Sequence, residues 1–226
     1  MNFTFLGKYY MFFINGAKNT ILLAAFTVFF GVMLGTFLAL MRLSKNWPLK
    51  FISASYIEFI RGTPLLVQIF IVFYGLPQIG IEFPDVPALG EDFPRFMAGV
   101  IAMSLNSAAY VAEIIRAGIQ AVDKGQMEAA RSLGMPHGMA MRYVILPQAV
   151  RNILPALGNE FVVDIKESSM VSVIGIAELM YNADTVRGNT FRPFEPLIIA
   201  ALIYFAMTFT LSKLVGKAER RMRTSD

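Results

Sequence analysis

Four runs without a charged side chain constrain this chain more than any other feature. Asn19 to Met41 lies between Lys18 and Arg42, and Gly62 to Ile81 between Arg61 and Glu82. Phe96 to Ala112 and Pro196 to Ser212 are shorter but still of spanning length. A hydrocarbon core of ~30 Å takes roughly 17–25 helical residues, so each run predicts a transmembrane helix. Composition agrees: 56% of residues are hydrophobic and 16% charged, against roughly 25% charged in soluble chains. A soluble domain would lack the polar residues to cover its core. Disorder, collagen-like repeats and a disulfide-stapled secreted domain are excluded. With no cysteine and one histidine, His137, thiolate metal sites, thiol nucleophiles and His-rich clusters are excluded too.

The net charge of +4 reads as topology and needs no nucleic acid, because basic residues collect on the cytoplasmic side of membrane chains. Residues 1–18 carry Lys8 and Lys18 around the aromatic stretch Tyr9 to Phe13, which predicts a short interfacial helix and no cleavable signal. Asn152 to Ala177 is apolar overall yet holds Glu160, Asp164, Lys166 and Glu167. Parity decides its reading. The 42–50 loop has three Lys and Arg, the 113–151 stretch five and the tail from Lys213 five, against Arg95 alone in the 82–95 loop and two in 178–195. If 152–177 crosses, the basic segments share one side. The expectation is an all-α membrane protein of five transmembrane helices, one domain over 1–226, with the N-terminus outside and the C-terminus cytoplasmic. Each ionisable group at membrane depth costs at least ~2.5–3.5 kcal/mol against lipid, so it should face protein or a water-filled path.

Between Glu113 and Arg151 no span fits. Two helical pieces are expected, Gly125 to Leu133 and His137 to Val144, hinged at Gly134-Met135-Pro136. Gly134 suits a helix C-terminus that needs positive φ, and Pro136 the first turn of the next helix. The 125–147 segment therefore forms a knob on the cytoplasmic face, the shape of a docking surface.

Within it, Glu128-Ala129-Ala130, then Gly134, then Val144-Ile145-Leu146-Pro147 resembles the EAA loop of ABC importer membrane subunits, with Val144 where that pattern has Ile. More of the chain resembles the permeases for polar amino acids: Asn15-Gly16 to Thr20, Arg61-Gly62-Thr63-Pro64-Leu65-Leu66-Val67-Gln68, Arg116-Ala117-Gly118-Ile119, Leu154-Pro155-Ala156-Leu157, and Lys166-Glu167-Ser168-Ser169. The resemblance implies the type I importer permease arrangement in a bacterial-type inner membrane. It also implies a second permease subunit, identical or related, cytoplasmic nucleotide-binding subunits that hold ATP and Mg, and an extracellular binding protein that delivers an amino acid. The chain has no Gly-x-x-x-x-Gly-Lys-Ser/Thr run, so no P-loop or enzyme activity of its own is expected.

The resemblance puts ATPase coupling on Glu128, Ala129, Ala130, Arg131, Gly134, Pro136, Leu146 and Pro147. Glu128 is expected to cap the first short helix or to pair with a partner arginine. For the path, Asn106, Tyr110 and Glu113 fall at i, i+4 and i+7 on one helix face; Gln68 can join them from the second span. Asn159, Glu160 and Asp164 would line the fourth. Glu160 and Asp164 lean the substrate toward a basic or neutral polar amino acid, the rival being an Asp164–Lys166 pair that touches no substrate. Arg61, Pro64 and Lys166 are candidate gate or structural residues, Arg61 pairing with Glu58 or Glu113. A secondary transporter or a non-transporting structural membrane subunit are the alternatives.

Overall fold

The computed structural model describes residues 2–86 and 92–223. Part of the 82–95 loop and the last residues of the basic tail lie outside them. Eight helices account for the architecture among the described residues: α1 (Leu6–Leu43), α2 (Trp47–Arg61), α3 (Leu65–Gln78), α4 (Phe93–Gln120), α5 (Lys124–Ser132), α6 (137–167), α7 (Leu179–Thr190) and α8 (Glu195–Arg223). A 3₁₀ segment, Ser168–Ile174, joins α6 to the turn before α7.

The core is held together by small residues. On α1, Thr20, Ala24, Thr27, Gly31, Gly35 and Ala39 are buried, spaced three or four apart on one face. Ser107 lies against Gly31 and Val111 against Gly35, so closely that a Cβ on either glycine would overlap α4. Membrane helices gain little from apolar burial against each other and associate through such close backbone approach. The matching order of contacts makes α1 and α4 parallel. α6 returns antiparallel to α4, with Ile153 at Gly118 and Asp164 at Ser107. Against α8, Gly158 packs on Val215. Outward, α1 exposes Phe29, Met33, Phe37 and Leu40, a surface suited to lipid.

α1, α4 and α8 are each long and apolar enough to cross a membrane, and the pair α2–α3 adds a fourth candidate. That pair corrects the second span. Instead of one helix over 62–81, the chain runs through α2, breaks at Gly62-Thr63-Pro64 and bends by 107° into α3. Pro64 restricts Thr63 to extended conformations, which ends α2 there. α3 alone is only ~21 Å long. The first helix brings a second correction: 6–18 is not a separate short helix but the first turns of the 38-residue α1.

Two five-residue π turns, Ile71–Gly75 and Met141–Ile145, each sit directly before a Leu-Pro-Gln, at Leu76-Pro77-Gln78 and Leu146-Pro147-Gln148. A proline in a helix clashes with the carbonyl four residues back, and the wider turn relieves that clash without ending the helix. The second knob piece therefore does not stop at Val144. It continues through Pro147 as α6, reaching Glu167.

Candidate functional site

The knob is built from α5, a four-residue turn and the start of α6. Asp123 caps α5 by accepting from the Gly125 N–H at 2.6 Å, so Glu128, an exposed residue of the helix interior, is not the cap. The C-terminal turn is a Schellman closure. Met135 N–H donates to the Ala130 carbonyl at 3.1 Å and Gly134 N–H to Arg131 at 3.0 Å, with Gly134 at φ +84°. The Arg131 guanidinium donates to the Met135 carbonyl at 2.9 Å, tightening the same turn. Gln148 fixes the angle between the pieces, donating to Val144 O at 2.9 Å and to Gln126 Oε1 of α5 at 3.2 Å.

Ala130 and Ala140 are buried between the pieces, whereas Ala129, Pro136, Leu146 and Pro147 are exposed. Leu133 at the tip is 85% exposed, with Met139 and Tyr143 also open. The projection is thus ordered and hydrogen-bonded, with apolar side chains turned outward.

Inside the bundle, the Asn106 amide donates to Gln68 Oε1 at 2.8 Å. Gln68 Nε2 donates to the Ile60 carbonyl at 2.8 Å and to Thr63 Oγ1 at 2.9 Å. Both side chains are buried, and together they brace the α2–α3 bend against α4. One residue further along α4, Ser107 Oγ donates to Asp164 at 3.2 Å, with Asp164 2% exposed and Glu160 half-buried one turn back. Adjacent residues of α4 thus make two separate polar contacts, Asn106 with Gln68 of α3 and Ser107 with Asp164 of α6.

The other predicted path residues go elsewhere. Tyr110 is partly exposed, its ring 5.4 Å beneath the Arg61 guanidinium, and Glu113 forms a two-pronged ion pair with Arg116. Glu58 pairs instead with Arg42 at 3.7 Å. Arg61 therefore stacks on Tyr110 instead of forming either of its two expected ion pairs. Asp164 bonds Ser107 and Lys166 is exposed, as are Asn159 and Pro64.

Sequence reasoning missed a second polar centre. Glu178 is fully buried and accepts from the Tyr204 hydroxyl at 2.6 Å, Met180 N–H at 2.8 Å, Tyr181 N–H at 2.7 Å and, at 3.5 Å, Thr20 Oγ1. It caps α7 and ties α7 to α1 and α8. Beside it, the Asn19 and Asn182 amides converge on the Ala177 carbonyl, at the wall of a cavity of ≈ 430 Å³ that Asn15 and Lys18 also line. The available signal was Asn19-Thr20 on the face of a run that otherwise packs small apolar residues.

Residues 31–224 match the family described as binding-protein-dependent transport system inner membrane component. The arginine transport system permease protein ArtQ of Bacillus subtilis is 44% identical over 217 residues, covering 95% of this chain and 94% of that protein. A Rickettsia conorii permease assigned to glutamine transport, GlnP, is 42% identical over 97% of this chain and 98% of its own length. Among solved structures, a chain of an amino acid ABC transporter crystallised with histidines superposes with a TM-score of 0.88 at 56% identity, covering 98% of this chain and 100% of that one.

Proposed function

We propose, for a chain that belongs to the family of binding-protein-dependent transport system inner membrane components, how it carries its substrate and takes up work. It is the permease subunit of an amino acid ABC importer. Its substrate is a basic or neutral polar amino acid, accepted through the buried carboxylate of Asp164 and the half-buried Glu160. An α-ammonium or a cationic side chain entering beside α6 finds these two acceptors one helical turn apart, and the Gln68–Asn106 pair lies one residue away along α4 from the Ser107 that holds Asp164. ArtQ, named for arginine transport, and the Rickettsia permease, named for glutamine transport, agree with this substrate range.

One observation carries the coupling mechanism: α6 is a single helical run whose first turn belongs to the knob and whose far part holds Glu160 and Asp164. A helix bends chiefly at defined breaks, which in α6 are the π turn Met141–Ile145 and Pro155, so a displacement applied at the knob reaches the carboxylates through these two points. The exposed face with Glu128, Ala129, Leu133 and Pro136 docks into a separate cytoplasmic ATPase subunit, which binds ATP and Mg. Arg131 and Gly134 hold the turn that presents this face, and Ala130 packs behind it. Leu146 and Pro147, beyond the π turn, carry the motion into α6.

Two such permeases, ten membrane crossings in all, enclose the polar path that one bundle leaves open along Asn159 and Lys166. The chain crosses the inner membrane five times, α6 being the fourth crossing, with its N-terminus outside and its knob and C-terminus cytoplasmic. An extracellular binding protein supplies the amino acid to the end where Asn2 and Glu195 meet. Residues 125–147 act as the coupling loop of a single 1–226 domain.

The test is uptake into proteoliposomes holding the complete complex with ATP enclosed and the binding protein outside. Labelled arginine, histidine and glutamine should accumulate with ATP and not without it, and glutamate should not. Accumulation driven by an ion gradient in the absence of ATP would overturn this reading.

A further inference from the structure

At the knob end of the bundle, outside both the path and the docking face, three helices converge on a basic cavity of ≈ 370 Å³. Arg42, Leu43 and Ser44 contribute from the end of α1, Lys50 from the first turn of α2, and Arg116 and Gln120 from the last turns of α4. Arg116 is already engaged, by Glu113 on one side and by Gln120 Oε1 at 2.6 Å on the other. Arg42 is not. Its side chain is three-quarters buried, yet among the described residues its only ion-pair partner is Glu58 at 3.7 Å, a carboxylate itself 75% exposed. A guanidinium brings five donors in a rigid fork that matches a phosphate or carboxylate. Lys50 is exposed and has no ion pair among the described residues. The cavity thus offers two cations with unused donors, flanked by one that is internally compensated.

The rim identifies the source of the anion. Trp47 is 71% exposed and stacks on Phe51 at 5.4 Å, one helical turn from Lys50 on the same face. Leu43, Leu49, Phe51 and Ile52 are exposed as well. An aqueous site would not be ringed this way, whereas the headgroup level of a membrane favours an amphipathic tryptophan beside basic residues. Basic recesses between helix ends at that depth suit anionic headgroups.

We propose that this cavity binds the phosphate group of an anionic phospholipid, held by Arg42 and Lys50, with its acyl chains along Trp47, Phe51 and Ile52. The leaflet follows from the reading of the knob end as cytoplasmic. Occupancy would brace α1, α2 and α4 at the root of the knob, since α5 begins only a few residues after Gln120.

Trp47 is the one tryptophan in the chain, which makes the site directly readable. The full chain is reconstituted in phosphatidylcholine vesicles containing bromine-labelled phosphatidylglycerol, or the same label on phosphatidylcholine. Labelled phosphatidylglycerol should quench Trp47 at about five-fold lower mole fraction per engaged cation. Arg42→Gln/Lys50→Gln should bring the two lipids level, and Arg42→Lys/Lys50→Arg should retain most of the difference. Inorganic phosphate is titrated in a second arm, in pure phosphatidylcholine. A shift of Trp47 emission at millimolar phosphate, with no preference for phosphatidylglycerol, would make free phosphate the ligand and overturn the lipid assignment. Equal quenching by both lipids with no phosphate response would overturn the site itself. Because the readout uses neither ATP nor amino acid, its failure leaves the importer reading intact, and failure of that reading leaves this measurement valid.

Discussion

Ser107 on α4 donates a hydrogen bond to Asp164 on α6 at 3.2 Å, tying a carboxylate that is 2% exposed to the middle of the helix that also packs against α1. The preceding residue, Asn106, holds Gln68 of α3 in the same way. Two consecutive positions of α4 thus connect the α2–α3 bend to the helix that leaves the knob, so motion of α6 is opposed or transmitted at this one level of the bundle.

Asp164→Asn keeps the volume and an acceptor oxygen for Ser107 while removing the charge. The complex should assemble normally, and arginine uptake should fall about tenfold or more, a loss of ~1.4 kcal/mol or greater. Glutamine uptake should fall less, because its side chain is neutral. Ser107→Ala leaves the charge in place and should have a milder effect on both. Wild-type arginine uptake by Asp164→Asn, measured in proteoliposomes, would remove Asp164 from the path.

Gly134 sits at φ +84° with nothing within 4 Å of where a Cβ would be. Any side chain therefore pays the conformational penalty of roughly 1–2 kcal/mol for left-handed backbone but meets no atom of its own subunit. Gly134→Ala should weaken co-purification with the ATPase subunit mildly. Gly134→Arg, with the same backbone penalty and a long side chain on the proposed docking face, should abolish it while membrane insertion continues. If alanine and arginine reduce co-purification equally, the glycine serves the turn alone and not the fit to a partner cleft.

The sequence made the spans of α1, α4 and α8 legible through their charge-free runs, and the knob through Gly134 and Pro136, because these signals are local. The α2–α3 bend was not legible in that way. Lys50, Glu58 and Arg61 interrupt the charge-free pattern across α2, and the bend is fixed by Gln68 and Asn106, which are distant in the chain. Asn106, Tyr110 and Glu113 share a helix face as their spacing required. What the spacing could not supply was their neighbours: Arg61 lies over Tyr110 and Arg116 grips Glu113. Glu178 was overlooked for the same reason, since its partners Thr20 and Tyr204 come from opposite ends of the sequence.

Glu178 serves several donors at once, so its loss is predicted to cost more than loss of any one of them. Tyr204→Phe removes one hydrogen bond, worth ~1–3 kcal/mol when the acceptor is a carboxylate. Glu178→Ala also uncaps α7 at the Met180 and Tyr181 N–H groups and deprives the half-buried Tyr204 hydroxyl of this acceptor, a combined cost of about 3–5 kcal/mol. Thermal unfolding in detergent should place Glu178→Ala well below Tyr204→Phe, and both below the wild type. Equal midpoints for the two variants would mean that the cap contributes nothing beyond the tyrosine contact.

The close approach of α1 and α4 yields the sharpest steric prediction. A Cβ on Gly35 would lie 2.7 Å from the Val111 Cβ and Cγ1 and 2.8 Å from the Ala108 carbonyl oxygen. The neighbour is a stiff β-branched side chain together with backbone, so neither can swing aside, and overpacking of this kind costs roughly 1–3 kcal/mol. Gly35→Ala should lower the unfolding midpoint and Gly35→Leu should lower it further. Gly188 on α7 provides the contrast: nothing lies within 4 Å of its Cβ position, so Gly188→Ala relieves a flexible helix position and should be neutral or stabilising by ~0.5–1 kcal/mol. Because Gly35 shares its face with Gly31, which meets Ser107, separation of α1 from α4 should also disturb Asp164. Gly35→Leu is therefore expected to lose arginine uptake more than its drop in folded protein accounts for. If uptake per folded molecule is unchanged, the α1–α4 contact is a packing contact alone and the Ser107–Asp164 bond survives its opening.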